Sequence, residues 1–383
     1  MKKTIYYWSP CLDKVGTVKS TFNSATAVSK FSKNYKVKII NVFGEWEDYK
    51  EKLTKSNVEI IDLNFNYYNF LPKKGFLFSR FSYLLIITLS IIPLFRLLKK
   101  DRPEILIAHL ITSLPLILFS LFNFDTKLIL RISGFPKLNY FRKKLWNKSS
   151  KNLFKITCPT LQLLEKLKKS NIFIQDKLFY LQDAIIDVND FRLKLCDKNF
   201  SPKVNLDKKY LLSVGRLSKQ KNFSYLINEF NNFSKNFEDL NLIIIGDGEE
   251  KMKLKRLIKL KRLENKVFLI GTTDNVYKYM KNASLFVLPS LWEEVGFVIV
   301  EAALSNLFVI SSDCPNGPSE FLDNGDSGIL FKSNVSGELE KSLNFYFKNK
   351  KELENKKVKT KKNSIKYTKF RHFLTLEKIL DNS

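Results

Sequence analysis

Five short apolar runs recur through the second half of the chain, and each is followed by polar or glycine residues and then by a helical pattern. The runs cover residues 210–214, 240–245, 267–270, 285–288 and 308–311. Runs of this length bounded by turn residues predict buried strands, and the longer periodic segments between them predict helices. Strands that alternate with helices indicate a parallel sheet covered on both faces. The sequence therefore predicts a doubly wound α/β domain in this region.

The first half shows the same alternation less regularly. We predict strands at residues 36–42, 58–63, 104–108 and 127–132, and helices at residues 17–32, 78–100, 113–122 and 138–149. A chain of 383 residues is long enough for two such domains. We expect an N-terminal Rossmann-like domain at residues 1–190, a second at 191–364, and a C-terminal helix at 365–383 that crosses back to the first domain.

The charge of the chain is strongly unbalanced. It carries 65 Lys and Arg against 38 Asp and Glu, a formal net charge of +27, and the first 200 residues contribute 34 basic and 16 acidic residues to it. Such a surplus indicates an anionic partner, either nucleic acid or a membrane surface, although AT-rich codon usage would also enrich lysine. A hydrophobic content of 44% excludes a disordered basic tail protein.

Cysteine usage and the N-terminal residues indicate the compartment. Cys11, Cys158, Cys196 and Cys314 lie far apart and have no histidine at metal-ligand spacing, which argues against a zinc site or a disulfide framework. This pattern suits a reducing cytoplasm. Because the first residues also lack the pattern of a secretory signal, we expect a cytoplasmic protein.

Two segments of the first half suit contact with a membrane surface. The longest apolar stretch, residues 83–98, is shorter than the roughly 20 residues that a spanning helix needs. It therefore predicts a buried or surface-lying helix. Residues 135–149 interleave aromatic and basic side chains, a pattern that suits a membrane interface but, for this helix taken alone, favours a core helix with a solvated basic face. For the first half as a whole we expect peripheral contact with an anionic membrane.

The loops that follow the predicted strands of the second half contain the candidate chemistry. Arg216 and Lys221 bracket a short loop at a strand end, where two cations could hold a diphosphate without a metal ion. Glu293 and Glu301 are eight residues apart with a helix between them, which separates the carboxylates by on the order of 10–12 Å. The helix begins near Gly296, and its N-terminal amides favour phosphate. The arrangement suits a ligand with hydroxyls at both ends and phosphate in the middle.

Four segments in this order, residues 215–222, 246–248, 290–302 and 313–320, resemble the family 4 retaining glycosyltransferases. The resemblance covers essentially the whole second domain. Over the first half it is looser and rests on Gly16, His109 and residues 133–134. It implies the GT-B fold, in which two Rossmann-like doubly wound parallel-sheet domains face a central cleft.

The resemblance also implies roles for individual residues of the second domain. Arg216 and Lys221, with the Gly215 turn, match the positions that bind the donor diphosphate. Glu293 matches a glutamate near the donor sugar, and Glu301 matches one that holds the ribose hydroxyls.

The remaining positions implied by the resemblance surround the same donor. Gly296, Phe297 and Val298 lie where backbone amides approach the phosphate and sugar. Asn275 lies near the position that lines the nucleobase. In the first domain, His109 matches a residue that faces the donor sugar, and Gly16 a loop near the acceptor and phosphates.

Some of these assignments have alternatives in the sequence itself. A lone histidine at the end of an apolar strand, such as His109, is often a hydrogen-bonded structural residue, and the two interpretations are evenly balanced. The family's usual Glu-Gly-Phe-Gly is replaced by Glu293, Glu294, Val295 and Gly296, so an extra carboxylate could displace the loop or point to solvent. Gly16 stands alone where a pair of glycines is common. We interpret Cys314 as a structural thiol because no histidine follows nearby.

Together these features predict a cytoplasmic, peripheral membrane enzyme of bacterial envelope glycan synthesis, such as lipopolysaccharide. It would transfer a hexose or N-acetylhexosamine from a nucleotide diphosphate sugar, taken to be UDP-linked, to a lipid-linked or polysaccharide acceptor. The catalytic residues would be His109, Glu293, Arg216 and Lys221, and no cofactor or metal is expected. The alternatives are a sugar-nucleotide epimerase of the same fold, a nucleic-acid-binding protein, and a catalytically dead scaffold; no nucleic-acid-binding module is recognised.

Overall fold

The chain folds into two compact units. The computed structural model describes residues 2–12, 16–64, 66–72, 76–135, 138–237 and 239–381. The N-terminal unit comprises Met1–Ala184 and Lys369–Ser383, and the C-terminal unit comprises Ile185–Thr368. The boundaries at 184 and 368 lie a few residues from the expected 190 and 364.

Parallel strands form the centre of the N-terminal unit. The strands are β1 (Lys3–Trp8), β2 (Tyr35–Asn41), β3 (Glu59–Asp62), β4 (Ile105–Ala108), β5 (Lys127–Arg131), β6 (Lys155–Cys158) and β7 (Leu178–Tyr180). The helices between them are α1 (Gly16–Phe31), α2 (Lys50–Lys55), α3 (Phe76–Asp101), α4 (Ser113–Leu121), α5 (Tyr140–Ser150) and α6 (Leu161–Lys169). The four predicted strands and four predicted helices are confirmed to within two residues at each end, whereas β1, β6 and β7 were not predicted.

The strand order of this sheet defines where a ligand can bind. Among the described residues the order is β3-β2-β1-β4-β5-β6-β7, and all pairs are parallel. The chain reverses its direction across the sheet between β1 and β4. In doubly wound folds, the carboxyl ends of the strands at this switch point form the ligand crevice. His109 immediately follows β4 and so lies at that position.

The C-terminal unit repeats this architecture. Its strands are β8 (Tyr210–Val214), β9 (Asn241–Ile245), β10 (Val267–Leu269), β11 (Leu285–Leu288), β12 (Val309–Ser312) and β13 (Ile329–Phe331). The helices are α7 (Val188–Cys196), α8 (Phe223–Phe233), α9 (Lys251–Leu260), α10 (Val276–Asn282), α11 (Phe297–Leu304), α12 (Gly317–Phe321), α13 (Glu338–Lys348) and α14 (Glu354–Ile365). All five predicted strands are present, and within the described ranges the order is β10-β9-β8-β11-β12-β13.

Helix α7 explains why the first boundary falls earlier than predicted. The ring of Phe191 packs edge-on against Tyr277 of α10 at 4.9 Å, and the side chain of Asn275 donates to the Lys194 carbonyl at 2.8 Å. Because α7 makes these contacts, it belongs to the C-terminal unit.

The last helix, α15 (Lys369–Asp381), belongs to the N-terminal unit, where it packs on α1. The C-terminal unit is therefore one continuous segment set between two parts of the N-terminal unit. Its two ends are paired: the N–H groups of Ile185 and Ile186 both donate to the Tyr367 carbonyl, at 2.8 and 3.0 Å. Ile186 and Thr368 also form a parallel bridge.

Candidate active site

The switch point of the C-terminal sheet lies between β8 and β11, so the loops after these two strands share one edge. They are also tied together directly. The Leu291 N–H donates to the Gln220 carbonyl at 2.8 Å, and the Gln220 side chain donates back to the Trp292 carbonyl at 2.8 Å. The residues predicted from the strand-end motifs are therefore brought to a single place in this unit.

A buried ion pair lies at the centre of this place. The Lys221 ammonium contacts the Glu293 carboxylate, with the two side chains only 14% and 8% exposed. The Ser290 hydroxyl donates to the same carboxylate oxygen at 2.6 Å. Because a buried charge without a partner is costly, the pair keeps each side chain in a fixed position.

Three glycines allow the backbone to approach this pair closely. A Cβ placed on Gly215 would lie 3.0 Å from Cε of Lys221, so the absent side chain leaves room for the lysine stem. Gly246 has φ of +147°, and a Cβ there would lie 1.8 Å from the Gly215 carbonyl oxygen. A Cβ on Gly248 would lie 2.4 Å from the Leu217 carbonyl oxygen. The Gly-Asp-Gly segment is thus a turn that packs directly against the backbone of the Lys221 loop.

Arg216 lies at the solvent side of the same loop. Its side chain is 59% exposed, and its Nε lies 3.3 Å from a Glu249 carboxylate oxygen. An exposed pair of this kind contributes little to stability, so the guanidinium is available to exchange Glu249 for another anion.

The start of α11 provides the backbone donors. Gly296 has φ of +75° and ψ of 65°, the left-handed conformation that favours glycine, and it is the residue before the helix. The half-buried Phe297 and Val298 are its first two residues. Their N–H groups point away from the helix, because the first amides of a helix have no intrahelical acceptor. The positive end of the helix dipole adds to their preference for an anion.

Glu301 lies one turn further along α11 and is buried. Tyr277 of the neighbouring α10 is also buried, which raises the pKa of its hydroxyl, and the Glu301 charge raises that pKa further. A buried carboxylate in an apolar helix such as α11 is unusual, because burial of a charge is unfavourable unless polar groups surround it.

Asn275 occupies a structural position. Its Oδ1 accepts from the Lys278 N–H at 3.3 Å as the cap of α10, and its Nδ2 donates to the Lys194 carbonyl at 2.8 Å. The Oδ1 therefore caps α10 and the Nδ2 ties α10 to α7, and a contact to a nucleobase stays a prediction.

The backbone of the substituted loop residue Glu294 is packed against the neighbouring segment. Its carbonyl accepts from the Gly317 N–H at 2.6 Å, and a Cβ on Gly317 would lie 2.1 Å from that oxygen. The loop is therefore packed tightly against the segment after β12.

The nearby Cys314 is buried, which raises the pKa of its thiol to about 11, and a neutral thiol fits the structural interpretation.

In the N-terminal unit, His109 is buried among hydroxyl groups. Its Nδ1 lies 2.9 Å from the Thr21 hydroxyl, and its Nε2 contacts the Ser133 hydroxyl. Burial, reinforced by the nearby Arg131 charge and opposed by Asp183, lowers the pKa of His109 to about 3. The imidazole is therefore held neutral near pH 7 and is placed to act as a hydrogen-bonding group.

The sequence analysis missed a buried network below His109. Arg131 donates to Asp183 and to the Leu181 carbonyl, both at 2.7 Å, and the Ser20 hydroxyl donates to Asp183 at 2.5 Å. Burial opposes ionisation of Asp183, but Arg131 and Ser20 together hold its pKa below the usual value. The available signal was an arginine inside the apolar run that forms β5.

His372 of α15 lies beside this network and is held by two hydrogen bonds. Its Nε2 lies 2.8 Å from the Ser24 hydroxyl and its Nδ1 lies 2.6 Å from the Gln182 carbonyl. A cavity of about 20 Å³ lies between these groups, large enough for about one water molecule.

Gly16 is placed differently from the expectation. It is the first residue of α1, exposed, with open space where a side chain would lie. The structure therefore gives no backbone reason for glycine at this position. The preceding residues 13–15 lie outside the described ranges.

Comparison with solved structures identifies the class of fold. A glycosyltransferase from Rickettsia africae superimposes with a TM-score of 0.75 at 18% identity over the whole of both chains. A sucrose-phosphate synthase from Thermosynechococcus elongatus also gives 0.75, at 13% identity and over 99% of this chain and 98% of that one. The two parallel-sheet units have the GT-B fold, which confirms the predicted fold class.

Sequence comparison then identifies the family. Residues 197–366 match the model for glycosyl transferases group 1, and these residues lie wholly within the C-terminal unit. The C-terminal unit belongs to the glycosyl transferases group 1 family. This finding confirms the glycosyltransferase resemblance at the level of group 1.

Two curated relatives show how far the similarity extends. An uncharacterized glycosyltransferase of Methanocaldococcus jannaschii is 42% identical over 111 residues, which are 29% of this chain and 27% of that protein. A 4-alpha-N-acetylgalactosaminyltransferase of Campylobacter jejuni, named for a diphospho-undecaprenol-linked acceptor, is 29% identical over 212 residues, or 55% and 57% of the two chains. The chain thus spans between about a quarter and three fifths of the length of these relatives.

Proposed function

We propose that this protein is a glycosyltransferase that transfers a sugar from a nucleotide diphosphate sugar to a lipid-linked or cell-envelope glycan. The group 1 domain supports the reaction class. Two Campylobacter jejuni relatives, named as N-acetylgalactosaminyltransferases with undecaprenol-linked acceptors, support the acceptor class. A Staphylococcus aureus relative is named poly(ribitol-phosphate) alpha-N-acetylglucosaminyltransferase. Because these named relatives are transferases, transfer is favoured over the epimerase alternative.

The donor we propose is a UDP-linked hexose or N-acetylhexosamine. The names of the Campylobacter and Staphylococcus relatives support an N-acetylhexosamine. Two structures of the same fold support uridine: HepE of Anabaena has been solved with UDP and glucose, and TarM of Staphylococcus aureus with UDP.

The buried pair of Lys221 and Glu293 is the observation that carries this proposal. A lysine fixed by Glu293, a second cation on Arg216, and the amides of Phe297 and Val298 line one edge of the C-terminal sheet. Such a group of donors is suited to a diphosphate, whose charge grows as the sugar leaves. We propose that these cations and amides stabilise that charge without a metal ion, and that Glu301 accepts from the ribose hydroxyls.

The reaction we propose proceeds with retention at the anomeric carbon. The acceptor hydroxyl oxygen forms a bond to the anomeric carbon while the bond from that carbon to the diphosphate oxygen breaks on the same face. The electron pair of the broken bond stays on the diphosphate, and the proton of the acceptor hydroxyl passes to a phosphate oxygen. Glu293 would position the donor sugar, and neutral His109 would contact it as a hydrogen-bonding group.

We further propose that the protein works in the cytoplasm, at the inner face of the membrane, where it would meet a lipid-linked acceptor. The acceptors named for the Campylobacter relatives support this location. A lipid carrier and an anionic membrane also account for the positive charge of the first half without a nucleic acid.

Nucleotide binding tests the site directly. Stabilisation of the full chain against heat is measured with UDP, ADP and GDP, and we expect UDP alone to stabilise it; at a hundred times its Kd the gain is about 2.7 kcal/mol. Lys221→Met should abolish the shift, whereas Lys219→Met, an exposed lysine in the same loop, should retain it.

Product analysis tests the reaction. With a UDP-sugar and a lipid-linked acceptor, we expect free UDP and an elongated glycan with the α configuration retained. Epimerisation of the donor without release of UDP would overturn the proposal, as would a full UDP shift in the Lys221→Met variant.

A further inference from the structure

Four helices of the N-terminal unit cover one face of its sheet. Side chains from α3, α4, α5 and α6 share a hydrophobic core, while α1 and α15 contribute to the core on the other face. Helix α4 joins its neighbours α3 and α5: Phe122, which follows α4, packs on Phe95 of α3 at 4.8 Å, and Ser120 of α4 lies 3.0 Å from Ser149 of α5. Because each helix follows a parallel strand, all four begin at the carboxyl edge of the sheet.

Helix α3 is apolar on the side that faces solvent as well as on the side that packs. Ile86, Leu94 and Leu98 are buried in the core. Phe81 and Ile92, on the outer side, are each 60% exposed. A helix that is hydrophobic all round is expected to be covered on all sides, so the outer side of α3 lacks a covering layer in this chain.

By length and composition α3 could cross a membrane. The most apolar 18-residue window within Arg80–Asp101 has a mean hydropathy of 2.0, and 28% of that window is buried in the protein. Its inner side, however, is fixed to the domain. The Ser82 hydroxyl donates to the Pro72 carbonyl at 2.8 Å, and the Asn64 side chain donates to Ser90 at 3.3 Å. A helix held in this way would lie along a bilayer surface with only its outer side in contact with lipid.

The first turn of α5 adds two exposed aromatic residues at the same edge. Tyr140 is 72% exposed and Phe141 is 79% exposed, and their rings lie 5.8 Å apart. We call Phe78, Phe81, Tyr140 and Phe141 the aromatic rim. The next three residues, 142–144, are all basic and exposed. Aromatic and basic residues interleaved at one edge are suited to the headgroup layer of a membrane.

The charge of this region selects an anionic surface. Residues 63–164 contain sixteen basic and only three acidic residues. All three acidic residues have partners within the unit: Asp101 accepts from the Tyr6 hydroxyl at 2.8 Å, Glu104 lies near two lysines, and Asp125 lies 3.5 Å from Arg102. The basic residues of this segment therefore far outnumber its carboxylates.

We propose that the outer side of α3, together with the aromatic rim, docks the N-terminal unit on an anionic lipid bilayer, with α3 lying in the interface and not spanning it. The helices that carry the rim follow strands at their carboxyl ends, as His109 follows β4. With α3 in the interface, the bilayer surface runs along this helix layer up to the edge of the sheet at which His109 lies. This consequence rests on the proposed function, because it places a lipid-linked acceptor beside the transfer site.

Vesicle sedimentation of the full chain tests the docking, with equimolar phosphatidylglycerol and phosphatidylcholine compared with phosphatidylcholine alone. We expect tight binding to the first and much weaker binding to the second. The double variant Phe81→Ser with Phe141→Ser should lose binding at least tenfold. The matched control replaces two apolar residues of similar exposure in the C-terminal unit, Leu193→Ser with Leu260→Ser, and should bind as the wild type does.

A charge variant separates lipid charge from apolar insertion. Replacing the three basic residues 142–144 by glutamine should weaken binding to the anionic vesicles by about a hundredfold, at roughly fivefold for each charge. The control variant K359Q/K361Q/K362Q removes the same charge from the exposed side of α14 and should have little effect.

Three results would overturn the proposal. The rim variants could bind vesicles as the wild type does, the control variants could weaken binding as much as the rim variants, or the free protein could self-associate through Phe81 in sedimentation velocity. The UDP shift is measured on the same samples. If the rim variants lose vesicle binding but keep the UDP shift, the docking proposal is supported. If the wild type shows no UDP shift, the result counts against the proposed reaction and not against docking.

Discussion

Two buried histidines make the stability of the N-terminal unit depend on pH. Burial lowers the pKa of His372 to about 4, with Arg131 adding to the effect and the Gln182 carbonyl opposing it, and the pKa of His109 is lowered to about 3. In the unfolded chain both rings titrate near pH 6.5. Below that pH the unfolded chain takes up protons that the folded unit cannot, so stability falls as the pH falls from about 6.5 towards the folded pKa values.

The magnitude follows from the difference between folded and unfolded pKa. At pH 5 each histidine lowers the free energy of unfolding by about 2 kcal/mol relative to pH 7.5. Glu45 acts in the opposite direction, because burial raises its pKa to about 7 and its folded carboxyl binds a proton before the unfolded one does. It restores about 2–3 kcal/mol over the same interval. The two histidines together therefore outweigh Glu45 by about 1–2 kcal/mol, and a histidine variant is needed to separate the contributions.

The variant His372→Gln removes one of the two contributions. Urea unfolding at pH 7.5 and at pH 5 is followed by tryptophan fluorescence, which reports mainly on this unit because Trp8, Trp46 and Trp146 are buried within it. We expect the variant to gain about 2 kcal/mol at pH 5 relative to pH 7.5, after subtraction of the wild type. If the difference between variant and wild type is the same at both pH values, the ring of His372 is not held neutral by burial and the reasoning is wrong.

Two further predictions concern the interior of each unit. Gly246→Ala should destabilise the C-terminal unit by more than about 2 kcal/mol in urea unfolding, since its Cβ would overlap the Gly215 carbonyl. Gly271→Ala, with φ of +72° but open space, should cost only about 1 kcal/mol, and equal costs would contradict the packing argument. Arg131→Met should destabilise the N-terminal unit by about 3–5 kcal/mol because Asp183 remains buried and charged. A cost below 1 kcal/mol would mean that the pair is not buried in solution.

The parts of the fold that the sequence predicts are those with strong local signals. The five predicted strands of the C-terminal unit are apolar runs followed by glycine or polar residues, and the loop with Lys221 could be placed because it follows such a run. The pairing of Lys221 with Glu293 could not be predicted, because it depends on β8 and β11 being neighbours, although 72 residues separate the two side chains in sequence.

The elements that were missed lack those signals or depend on distant contacts. Strand β6 contains Lys155 and Thr157, which interrupt the apolar pattern, and α7 is assigned to its unit only by contacts with Tyr277 and Asn275. The family resemblance placed Gly16 in the loop directly before the predicted helix 17–32, whereas α1 begins at Gly16 itself. The Arg131 network was missed because most of its members are far apart in the sequence. They come together only when the sheet forms and α15 packs on it.

The paired ends of the C-terminal unit have a consequence for how the molecule can be divided. Ile185 and Tyr367 are hydrogen-bonded, so the segment between them starts and finishes at the same point in space. Domains whose termini are adjacent tolerate excision, transplantation and circular permutation. The C-terminal unit should therefore behave as a separable module: a gene fragment for residues 185–368 could be moved between scaffolds, or reopened at an exposed loop, without interrupting any strand of its sheet.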